Sequence, residues 1–193
     1  MSASARPIAT TRSTAGMPTA RLAVWWLIAS EIVIFGGLLG SYIMFRLAHD
    51  SFTQDAATTN LYIGAFNTWV LLTSSLFAVL GHKAAEEGDG RKAARMLHLT
   101  FGGGLLFLLV KSYEWYEKIH HGHTLSYSTF YSFYYTATGL HALHVIVGMV
   151  IMLIVARTAK RNLELHRVEV IGIYWHFVDL VWIFLFPLLY IAK

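Results

Sequence analysis

Cysteine is absent from the chain, so disulfides, thiolate metal sites and cysteine nucleophiles are all excluded. Charge is scarce too. Asp, Glu, Lys and Arg together make up 13% of the 193 residues, against about 25% in ordinary soluble domains. A chain so poor in charge must keep much of itself away from water. Acid is missing altogether from residues 1–20, "MSASARPIATTRSTAGMPTA", which hold two of the three prolines. This Ser/Thr/Ala-rich stretch cannot bury enough apolar surface to fold alone, and it is expected to be a disordered tail. Its Arg- and Ser-rich character also resembles an organelle transit peptide. It does not read as a secretory signal, because the apolar run that follows is too long and lacks an A-x-A site.

What the chain has in abundance is apolar sequence: 56% hydrophobic residues and a mean hydropathy of +0.53. A helix needs about 20 mostly apolar residues to cross a bilayer. Five runs qualify, at about 22–46, 60–82, 94–117, 129–157 and 170–192. The breaks between them are short and polar, so neighbouring helices should be antiparallel. The expected fold is all-α, a single domain of five transmembrane helices over residues 21–193.

The basic residues give an orientation. Eleven fall on one side of such a bundle (Arg6, Arg12, Arg21, Lys83, Arg91, Lys92, Arg95, Arg157, Lys160, Arg161, Arg167) and three on the other (Arg46, Lys118, Lys193). Lys111 lies inside a span. The positive-inside rule then puts the N-terminus in the cytoplasm and the C-terminus outside. The net charge of +4 is a topology signal in this pattern, not a nucleic-acid footprint. Trp25, Trp26, Tyr113, Trp115, Tyr116, Tyr127, Tyr131 and Tyr190 cluster near the expected boundaries, as interfacial anchors do. Gly36 and Gly40, and the run Gly102–Gly104, are candidate sites of close helix contact.

Ionisable residues within the runs are the candidate functional groups, because each is costly in hydrocarbon. Glu31 interrupts "LIASEIVIFGG" with no basic residue of its own helix in reach. It is either a carboxyl bonded to a neighbouring helix or a group that handles protons or touches a partner. The third run ends in Lys111, Glu114, Glu117 and Lys118, spaced for local ion pairs. "TGLHALHVIVG" places His141 and His144 three apart on one face. In "IGIYWHFVDLVWIFLFPLLY", His176 and Asp179 share a stripe with Glu169. These residues fit a hydrogen-bonded network that holds the bundle in register, with His144 and Glu169 as candidate partners of His176 and Asp179. His144 and His176 are a possible axial haem pair, and "HHGH" at 120–123 is a possible metal tract in a loop.

The segments "TGLHALHVIVG" and "YWHFVDLVWIFLF" resemble the paired signatures of the haem–copper oxidase subunit III family, that of cytochrome c oxidase polypeptide III. "SEIVIFGGLLGSY", "NTWVLLTSSLFAVLGHKAAEEGDGRKAARML" and "KSYEWYE" match further family segments in order, from about residue 21 to the end. The family's seven-helix members have two more helices at the start, so the resemblance is to a five-helix bacterial form. It implies a non-catalytic subunit with no haem, copper or other metal of its own. Those centres would lie in subunits I and II, its expected partners, with structural phospholipid bound alongside. Glu31 would lie near the subunit I contact and a proton or oxygen route. Glu114, His141, His144, Glu169, His176 and Asp179 would lie at the packed centre. The implied setting is a bacterial plasma membrane, with cytochrome c as electron donor. Alternatives within the family are a quinol oxidase subunit III and the homologue associated with nitric oxide reductases. Outside it stand a small haem-binding membrane protein and a transporter.

Overall fold

The structure, a computed structural model, describes residues 13–14, 17–48, 56 and 59–192. Most of the stretch read as a disordered tail, residues 1–12 and 15–16, lies outside the described residues. Within it, β1 (Ser13–Thr14) and β2 (Met17–Pro18) form a two-residue antiparallel ladder. The other regular elements among the described residues are helical. The helices are α1 (Thr19–Ala48), α2 (Leu61–Glu86), α3 (Gly90–His120), α4 (Thr129–Ala159) and α5 (His166–Phe186). A π-helical turn, Pro187–Ile191, continues α5. Among the described residues, five helices are long and apolar enough to cross a membrane, at 26 to 31 residues each when α5 is taken with its π turn. All five expected runs are therefore helical, and the chain is a multi-pass membrane protein.

Local chemistry sets the helix starts. The Asn60 side chain accepts from the amides of Tyr62 and Ile63, Asp89 from Lys92, and Ser128 from Tyr131. These bonds satisfy amides that a first helical turn leaves without partners. The turn into α5 is different. Asn162 and Glu164 take φ of 55° and 51°, and no side chain caps the helix. At the other end of α5, Pro187 cannot donate an amide hydrogen, and the ladder widens there to the π form.

Helices α2, α3, α4 and α5 close a ring in chain order, side chains of α3 and α5 meet across its middle, and α1 lies outside it against α4 and α5. The core is aromatic. Trp175, Trp182, Tyr131, Tyr134, Tyr190 and Phe107 are fully enclosed. Trp182 and Phe107 meet edge to face at 4.8 Å, a favoured aromatic geometry. The outward faces carry exposed Ile32, Val33, Leu72, Leu109, Val150 and Phe184, as expected of surfaces solvated by lipid.

The structure corrects two sequence expectations. Tyr131 and Tyr190 are buried core residues and not interfacial anchors, whereas Trp25, Trp26, Tyr113, Tyr116 and Tyr127 are exposed. Gly36 and Gly40 make no close contact among the described residues. The close contact belongs to α3. A Cβ on Gly103 would fall 2.5 Å from the Ser74 Cβ, and one on Gly104 would fall 2.7 Å from the Trp175 ring.

Candidate functional site

The polar residues inside the spans form several separate groups instead of one network. Their positions follow from which helix each faces. Glu31 on α1 meets His144 on α4, with Oε2 and Nε2 3.1 Å apart and both side chains close to nine-tenths enclosed. His144 uses its other nitrogen on its own helix, where Nδ1 lies 2.8 Å from the Leu140 carbonyl. That bond puts the proton on Nδ1 in the neutral ring and leaves Nε2 to face Glu31. Phe35 packs edge-on against the His144 ring at 5.4 Å. The pair borders a groove of about 490 Å³ between α1, α4 and α5, lined also by Leu27, Leu143, Val147 and Tyr174. The two groups are within ion-pairing distance but not aligned as a hydrogen bond, in a groove that is mostly apolar apart from Arg167.

The second group lies at the α3 end. Lys111 is 1% exposed and Glu114 is 2% exposed. The Lys111 ammonium donates to Glu114 Oε2 at 3.0 Å, to the Tyr134 hydroxyl at 2.9 Å and to the Tyr190 hydroxyl at 2.5 Å. Tyr190 donates in turn to the Glu114 carboxylate, 2.8 and 2.9 Å from its two oxygens. The ammonium spends all three hydrogens, which is what a buried cation requires. Lys118, two turns beyond Lys111, lies over the rings of Tyr131 and Tyr134.

The remaining candidates go elsewhere. His141 is fully buried between the rings of Phe107 and Trp182, and neither ring nitrogen has a hydrogen-bond partner among the described residues. Glu169 pairs with Arg21 and so ties α5 to the start of α1. His176 Nδ1 bonds the Ser75 hydroxyl on α2 at 2.6 Å. Asp179 is 4% exposed, and its carboxylate makes no hydrogen bond among the described residues. The structure thus gives His144 and Glu169 other partners than the expected His176 and Asp179. His144 and His176, the possible haem pair, turn to different helices, α1 and α2. In the 120–123 tract, His121 bonds the Glu117 carbonyl and His123 stacks on Tyr131 at 5.0 Å. Among the described residues, no cluster of three or more His, Asp or Glu is placed to hold a metal ion.

Sequence reasoning missed the hydroxyl partners. Ser74 accepts from the Trp175 indole, Ser75 meets His176, and Thr68 accepts from the Trp182 indole. The signal was present: "NTWVLLTSS" puts five hydroxyl or amide side chains into an apolar run. Tyr134 and Tyr190 were missed as partners of Lys111, because they lie 23 and 79 residues away in sequence.

The model of the family "cytochrome c oxidase subunit III" matches residues 8–193 of the chain. The chain belongs to this family. A probable cytochrome c oxidase subunit 3 of Mycobacterium leprae is 36% identical over 174 residues, covering 88% of this chain and 86% of that one. Cytochrome c oxidase subunit 3 of Thermostichus vulcanus is 34% identical, covering 84% of this chain and 82% of its own. The subunit from Bacillus sp. PS3 is 32% identical, with 88% and 84% covered. Subunit III belongs to a multi-subunit oxidase, and the chain matches 82% to 86% of the length of these three relatives. Glu31 and His144, which meet across α1 and α4, both lie in the segments whose resemblance to the family was legible in the sequence.

Proposed function

We propose that the chain is the non-catalytic subunit III of a respiratory haem–copper terminal oxidase in a bacterial plasma membrane. In this role it packs on subunit I and supports proton uptake, lipid binding and the durability of the complex during oxygen reduction. Haem and copper reside in subunits I and II, and cytochrome c is the donor. The N-terminus is cytoplasmic and the C-terminus lies outside.

The observation that carries the reading is the Glu31–His144 contact. It places an acid and an imidazole of different helices side by side at the border of a groove open to the outside of the bundle. Buried ionisable groups within a membrane are costly, and proton pathways are a use that offsets the cost. The ring of α2 to α5 supplies rigid backing for the pair, while α1 leaves one side accessible. The Lys111–Glu114 group is enclosed and satisfied, His141 is buried among rings, and Glu169 and His176 bond neighbouring helices, so the role of these groups here is to fix helix register.

Glu31→Ala in the purified oxidase is the direct test. Assembly should remain largely intact, while proton uptake slows or the active lifetime during turnover shortens. Unchanged turnover and lifetime would remove the proton role.

A further inference from the structure

The basic residues at the end of the bundle where α3 begins and α4 ends are unevenly arranged. Gly90, the first residue of α3, is pressed against the end of α4. Its amide donates to Asn162 Oδ1 at 2.9 Å. A Cβ at this position would fall 2.0 Å from the Ala159 carbonyl oxygen, so only glycine permits the contact. The junction brings Arg91 and Arg95 of α3 to Arg157, Lys160 and Arg161 of the α4 end. Together they border two adjoining cavities of about 490 and 670 Å³, which share Arg91 and Lys160.

All five cations are exposed, and among the described residues none has a carboxylate within ion-pairing distance. Arg21, Lys92 and Arg167 at the same end each have a glutamate. Arg91 also sits in the first turn of α3, where the helix dipole disfavours a cation. The positive-inside rule accounts for the number of basic residues here. It does not account for five of them converging without counter-charge. An anion near the α3 start would offset the mutual repulsion and the unfavourable dipole there, while the dipole of the α4 end already favours the cations of its own last turn.

The shape of the larger cavity narrows the anion's identity. Its wall continues down α3 through Met96 to Leu99, an exposed apolar side chain. Leu99 lies nine residues beyond Gly90, about 13 Å deeper at 1.5 Å per residue. A cationic rim over an apolar wall matches a molecule with a phosphate head and an acyl chain. Neither a free anion nor an acidic peptide would use the apolar part.

We propose that this groove binds one anionic phospholipid, with its phosphate among the five cations and an acyl chain along Met96 and Leu99. The proposal deepens the lipid-binding part of the function above and rests on the chain lying in a membrane.

The test uses the detergent-purified protein with whatever chains accompany it, stripped of lipid and titrated with phosphatidylglycerol, phosphatidylcholine and inorganic phosphate. Bound lipid is counted by native mass spectrometry. The triple variant Arg157→Gln/Lys160→Gln/Arg161→Gln should bind phosphatidylglycerol roughly tenfold or more weakly. The control Lys83→Gln/Lys92→Gln/Arg167→Gln, which removes as many cations from the same side, should bind as the wild type does. Leu99→Gln should weaken long-chain phosphatidylglycerol and spare a short-chain form, which reads the acyl contact independently of the cations. Phosphatidylcholine should bind weakly, and inorganic phosphate should not compete. Equal binding by the triple variant, or equal loss in the control, would overturn the proposal. Competition by inorganic phosphate would make this a free-anion site. Loss of accompanying chains from the triple variant with lipid retained would make it a protein interface. Both of those results also overturn it. The haem spectrum of the purified wild type reads the oxidase assignment separately, so either can fail without the other.

Discussion

Lys111 shows what a single residue in the bundle does. Its ammonium is enclosed, donates to one carboxylate and two phenols, and joins α3, α4 and the turn after α5. Removing one partner of such a pair leaves a buried charge without compensation, at a cost of about 3–5 kcal/mol, whereas replacing both with apolar or neutral groups can cost little. Lys111→Met should therefore lower the thermal midpoint of the purified protein sharply. Lys111→Met/Glu114→Gln should recover much of the loss. Additive losses in the two variants would contradict the geometry. The Lys111–Glu114 spacing was legible in the sequence because a helix repeat fixes it. Tyr134 and Tyr190 were not, because tertiary packing brings them in. The same holds at His176. Its stripe with Asp179 could be read from spacing, but its partner Ser75 lies on another helix. A helix periodicity tells which residues share a face, but not which neighbour that face meets.

At the scale of elements, α3 depends on small residues facing α2 and α5. Gly103 lies against Ser74, and Gly102 beside it faces open space. Gly103→Ala should push α3 from α2, and its thermal midpoint should fall. Gly102→Ala should be neutral or slightly stabilising, since alanine is favoured over glycine in a helix by about 1 kcal/mol. Equal behaviour of the two variants, measured by thermal unfolding in the same detergent, would argue against the packing described. The sequence signalled a small-residue run here, but not which glycine makes the contact. For α1 the small-residue signal misled, because Gly36 and Gly40 make no close contact among the described residues. Helix existence was readable throughout, since about 20 apolar residues have few other options. Helix ends were less so. The helices extend a turn or so beyond several apolar runs, because caps such as Asp89 and polar final turns lie outside the hydrocarbon pattern.

At the scale of the whole molecule, the five-helix count came from hydropathy. The order of helices in the ring did not, since lipid-exposed and buried faces are nearly equally apolar. Orientation rests on the basic residues, eleven against three. A label attached after Lys193 should react with a membrane-impermeant reagent on intact cells. Protection of that label, with reactivity at the N-terminus, would reverse the topology. Family membership was legible because the motifs around Glu31, His144 and His176 combine rare intramembrane polar residues in a fixed order. Their contacts became visible only in three dimensions.

The most direct test of the central claim is purification of this chain in mild detergent, with an optical spectrum and mass spectrometry of what accompanies it. An oxidase subunit III should bring with it larger chains that carry haem and copper, together with a haem absorption spectrum and oxygen-reducing activity. A chain that emerges alone and colourless, stable without partners, would contradict it.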